Sequence, residues 1–188
     1  MDVEKIESDW SMFQNLTGKL EDENIDTLVT ELSERIIMCP ASPKDDSHGC
    51  HAGGLILHAL MVTNAMRKIN SSLEMGVETS SILKVGLLHE IGKVGSRTED
   101  YFLNQDSKWH REKLGQMYKY NEALPKMTVS HRTLFLLQSY GVVLTREEWE
   151  AIATAQGHHL EENKFYSYTK EPLTKLLHAA KMMVVTSS

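Results

Sequence analysis

Apolar residues return at intervals of three and four along most of this chain, and that period restricts its fold more than any other feature. Val3, Ile6, Trp10, Phe13, Leu16 and Leu20 follow it, as do Ile25, Leu28, Val29, Leu32 and Ile36. Such spacing lines one side of an α-helix, so each stretch needs a partner to bury its stripe. Pro40 and Pro43 stop the second stretch, because proline lacks the amide that a helix interior needs. Loop-forming "SPKDDSHGCHAGG" follows, then helical stretches from about Leu55 to Leu73 and from about Ser81 to Val94. Three more are expected: from about Val129 to Tyr140, ended by Gly141; from a Thr145–Glu148 capping box to Gly157; and from Pro172 through "LTKLLHAAKMMVV". No strand-like alternation of convincing length and no internal repeat interrupt the pattern. The reading is an all-α bundle of about seven helices with a long irregular segment near 95–127.

A chain of 188 residues suits one domain with a substantial core, here an N-terminal helical pair over 1–39 and a main body over 40–188. Hydrophobic residues at 41% and charged ones at 24% argue for an ordinary globular chain and against disorder. A net charge of −6 argues against bulk nucleic-acid binding, which works by neutralising many phosphates, but leaves room for a small anion in a local basic pocket. The opening "MDVEKIESDW" has no apolar core of a secretory signal, no apolar run approaches bilayer length, and Cys39 and Cys50 alone make no disulfide framework. The expected location is the cytoplasm, with no membrane partner.

The stretch "GLLHEIGKVG" then sets an imidazole and a carboxylate, His89 and Glu90, side by side among core residues. Both are costly to bury, so each needs a partner: a metal, a substrate or another side chain. His58 lies thirty-one residues earlier on the preceding helix, a separation that lets antiparallel neighbours bring both rings to one level. The cluster His48, Cys50 and His51 is at most half of a zinc site.

Taken in order, "CPASPKDDSHGCHAGGLILHAL", "LLHEIGKV" and "LLHAAKM" resemble the HD superfamily of metal-dependent phosphohydrolases, in a short form common in bacteriophage genomes. "WHREKLGQMYKYN" and "LFLLQSYGVVLTREEWEAI" are similar to that subgroup too, so the resemblance runs from about Pro40 through most of the chain. It implies an HD-type bundle in a bacterial or phage-infected cell, holding a divalent metal (Mn, Fe, Co, Ni or Zn) through His58, His89 and Glu90, with His131 as a further ligand. His158 and His159 compete for that further role, but anchoring on Gly157 puts both outside and sets Ala155 and Gln156 at the ligand positions. His48 falls at the active-site mouth, and Glu90 and Lys93 fall in the catalytic motif. The implied substrate is a nucleotide or related phosphate ester. Around it the nearest basic groups in sequence are Lys93, Arg97, Arg111, Lys113 and Arg132, with Trp109, Tyr118 and Tyr120 able either to stack on a base or to pack over the bundle. His110, His159 and His178 have no motif support for chemistry.

Two positions depart from the family pattern. The aspartate of its His-Asp pair is Glu90 here, and the closing aspartate of the last helix is Lys181. A longer carboxylate can still ligate; an ammonium, with three donors and no lone pair, cannot. Two readings therefore stand. In one the protein is a metal-dependent phosphohydrolase. In the other Lys181 occupies the metal's place and pairs with Glu90, no metal is needed, and the fold binds a nucleotide or a protein partner without hydrolysis. A diiron oxygenase on the same fold needs more ligands than the sequence places.

Overall fold

The computed structural model describes residues 3–185; residues 1, 2 and 186–188 of the expected domain lie outside them. α1 (Val3–Gly18) buries Phe13, and α2 (Glu23–Glu31), whose Asp22 cap accepts the amides of Asn24 and Ile25, buries Ile25, Leu28 and Val29. α3 (Ser33–Met38) is set off by a kink at Leu32 (φ −99°, ψ 10°) that no glycine or proline announces. After the 40–53 loop, α4 (Gly54–Ser72) turns Leu55, Ile56, Ala59, Val62 and Met66 inward. α5 (Thr79–Leu88) follows, then a 3-10 turn at Ile91–Val94.

The segment near 95–127 is less irregular than its sequence suggests. β1 (Phe102–Asn104) and β2 (Tyr118–Tyr120) pair antiparallel, with Phe102 opposite Tyr120, and α6 (Lys108–Leu114) connects them. Three-residue strands are too short to show alternation. The Pro43 carbonyl accepts the amides of Met117 and Tyr118, so the 40–53 loop docks on this segment. α7 (Val129–Ser139) and α8 (Arg146–Ala153) come next, α8 with its expected Thr145–Glu148 capping box; a 3-10 stretch (Glu161–Tyr168) leads to α9 (Pro172–Val185).

The molecule is thus mostly helical with one small two-stranded sheet. Nine α-helices, rather than about seven, occur among the described residues, because the second stretch kinks and α6 was hidden in the irregular segment. α4 is the central element, packed most extensively by α5 and α9, and one hydrophobic cluster runs from Phe13 to Val184.

One boundary matters for the site. The apolar period suggests a helix through Val94, yet α5 ends at Leu88 and His89 is its cap. Thr133 on α7 is the reason: its hydroxyl accepts the Gly92 amide at 3.0 Å and donates to the His89 carbonyl at 3.4 Å. Gly92 permits this approach, since a Cβ there would stand 2.5 Å from the Thr133 backbone nitrogen. Glu90 therefore lies beyond the helix, with φ −121° and ψ 16°.

Candidate functional site

Gly86 lets α5 press on α4, where a Cβ would meet Thr63 at 2.5 Å. That contact sets His58 of α4 and His89 at one level, with ring centroids 5.8 Å apart and exposures of 3% and 1%. Nδ1 of His89 lies 2.9 Å from the Gly86 carbonyl, which can only accept, so Nδ1 carries the hydrogen and Nε2 keeps a lone pair. That Nε2 is buried without a partner, as are both ring nitrogens of His58 and Nε2 of His48, whose ring is 4.6 Å from that of His58. One ligand atom each from His58, His89 and Glu90 lies within 4.8 Å of the others, the one such group among the described residues.

Glu90 has other partners. Lys181 Nζ, from α9, donates to Glu90 Oε1 at 2.7 Å and to the Ala155 carbonyl at 2.7 Å. Lys93 Nζ, from the 3-10 turn, donates to Glu90 Oε2 at 2.5 Å and to the Ala41 carbonyl at 2.6 Å. His58 Nε2 stands 3.7 Å from the same Oε2. Burial alone would raise the Glu90 carboxyl, but the Lys181 and Lys93 ammonium groups reverse this and hold it well below its ordinary value. Burial pushes His58 down to about 4 against the pull of Glu90, and burial with the Lys181 charge takes His89 to about 3. Burial also lowers His48. At neutral pH the cluster holds two cations, one anion and three neutral imidazoles.

Three donors thus fit a divalent metal, and His89 has the ligand tautomer with its other nitrogen anchored. The fourth position does not fit. Lys181 offers no lone pair, and both Glu90 oxygens already accept from ammonium groups.

The remaining sequence candidates scatter. His131 is not in the group: α7 turns Arg132 and Thr133 inward and leaves His131 exposed. Arg97 is exposed, paired with Glu31 at 2.9 Å and stacked on Tyr140. Trp109 and Lys113 are exposed on α6, and Arg111 donates to the Gln105 carbonyl. Tyr118 lines a cleft of about 400 Å³ together with Lys93, Cys39 and Arg35. Arg132 lines a different cleft, beside Tyr101. His158 and His159 lie outside the ligand group; with Gln156 and His178 they line a cleft of about 530 Å³ whose wall includes Lys181. His178 donates from Nε2 to the Thr154 carbonyl, and His110 bonds Ser107 through Nδ1. Ala41 contributes only its carbonyl, which no sequence signal marks, and Ala155, at a position where the resemblance puts a ligand, contributes its carbonyl to Lys181 instead. Thr133 had no signal beyond its place on an apolar-periodic stretch.

No family model matches the chain, and no curated protein or solved structure is significantly similar to it. No helix among the described residues is long and apolar enough to cross a membrane.

Proposed function

We propose that this protein is an HD-type helical domain whose metal position has passed to Lys181, and that it binds a nucleotide or another small phosphate ester without metal-dependent hydrolysis. The observation that carries this reading is the Lys181–Glu90 pair at 2.7 Å, held from behind by the Ala155 carbonyl. The pair supplies an internal counter-charge for Glu90. The second ammonium, Lys93, then leaves the cluster with one net positive charge, which favours an anionic ligand. Lys181 reaches solvent through the 530 Å³ cleft, where Gln156, His158 and His159 add polar contacts.

A second reading rests on the buried lone pairs of His58 and His89 beside Glu90. In it those residues hold a divalent metal that serves as Lewis acid when bound, and Lys181 turns away into the cleft while Lys93 faces the substrate phosphate.

Titration calorimetry with a nucleotide panel in EDTA, paired with a hydrolysis screen in Mn, Co, Ni, Mg and Zn, separates the two. The first reading expects binding in EDTA that Lys181→Met weakens at least tenfold, and no hydrolysis. Metal-dependent hydrolysis abolished by His89→Ala overturns it in favour of the second. The double variant Glu90→Asp with Lys181→Asp rebuilds the ligand set, and its melting temperature should become metal-dependent where that of the wild type is not.

A further inference from the structure

Arg132 has a buried charge and too few partners for it. It is 5% exposed, yet among the described residues no carboxylate lies within 4.0 Å of its guanidinium. Nη2 donates to the Pro125 carbonyl at 2.7 Å, the Tyr101 ring lies 5.1 Å from Cζ, and the buried Nε–H meets no acceptor. Arginine cannot shed its proton to escape the desolvation cost, and one carbonyl with one aromatic face is thin compensation for five donors. The residue also lines a cleft of about 810 Å³, whose other walls include Tyr101, Tyr120, Leu124, Pro125 and Thr128. The Tyr101 and Tyr120 ring centroids are 5.2 Å apart, and Tyr120 is 52% exposed, so a flat apolar face is open at the mouth. Glu122 lines the same cleft but is exposed and forms no ion pair with Arg132.

We infer that this cleft is a second ligand site, separate from the Glu90 cluster, for a small molecule that carries one carboxylate or phosphate on a flat aromatic body. The anion supplies the counter-charge that Arg132 lacks and meets the guanidinium from the cleft side, since the Nε–H is closed to solvent. The ring packs on Tyr120 in an offset or edge arrangement. Exposed Glu122 and Lys126 line the mouth with opposite charges, and Glu122 opposes the bound anion.

Amide NMR titrations with benzoate, phenyl phosphate and neutral benzamide test this and separate the two anion sources. Shifts should concentrate at Tyr101, Asn121, Leu124, Thr128 and Arg132, with at least one of the two anions binding at least tenfold tighter than benzamide. Arg132→Met should abolish that preference, Tyr120→Ala should weaken both anions several-fold, and Glu122→Gln should tighten them. Tyr120 and Glu122 are exposed, so those variants report even where Arg132→Met does not fold. Equal binding of benzamide and the anions, shifts centred on the Lys181 cleft, no binding at millimolar ligand, or indifference to Tyr120→Ala and Glu122→Gln each overturn the inference.

Discussion

Glu90 has two carboxylate oxygens and a separate ammonium on each, so the three residues do not contribute equally. Replacing Lys181 with methionine leaves Glu90 neutralised by Lys93, whereas Glu90→Gln leaves two ammonium groups facing one another, with 16% and 12% side-chain exposure. Breaking a buried pair from the side that strands charge typically costs about 3–5 kcal/mol, so Glu90→Gln should lower stability by about that much and Lys181→Met by distinctly less. Urea denaturation of both variants checks the order, and equal losses would mean that Lys93 does not share the carboxylate. His58, His89, Glu90 and Lys181 were legible in the sequence because their motifs fall on elements that pack together. The outward direction of His131 and the isolation of Trp109 and Arg97 were not, since the face a side chain takes depends on neighbours distant in sequence.

Where α5 stops is decided by α7. Thr133 satisfies the His89 carbonyl and the Gly92 amide, and only a residue without a Cβ fits at position 92. Gly92→Ala drives a methyl against backbone atoms that cannot rotate aside, and overpacking of this kind costs about 1–3 kcal/mol or more. The matched control is Gly18→Ala, where nothing lies within 4 Å and alanine favours the helix end. Thermal melts should show a clear loss for the first and a neutral to slightly raised midpoint for the second. Helices that bury a stripe were readable from apolar spacing alone, as with α4 and α9. α6 buries no residue and so has no stripe to read, while the Leu32 kink and the end of α5 arise from contacts that spacing does not encode.

The buried imidazoles give the whole molecule a direction in pH. Unfolded histidine takes a proton below about 6.5, while native His58 and His89 refuse one until about 4 and about 3. Their stabilising share is fully present above pH 6.5 and falls as acid is added, by roughly 1.4 kcal/mol per pH unit for each ring. The His58 share levels off near pH 4 and the His89 share near pH 3, with Glu90 adding a loss of the same sign once pH drops below its ordinary 4.5. Denaturation midpoints measured from pH 7.5 to 4.5 should fall steadily, and His58→Asn should flatten the slope by one ring's share. Unchanged midpoints across that range would mean the rings are protonated or hydrated in the native state. The packing of α9 on α4 also has a consequence in time. Ribosomes deliver roughly 5–20 residues per second, so the stretch of about 100 residues between the two helices takes on the order of 5–20 seconds to make. Until α9 is made, the α4 face that it covers lacks that partner, and Glu90, once made, has Lys93 but not Lys181. Slow codons between Ser72 and Pro172 would lengthen the time that this face waits for its cover.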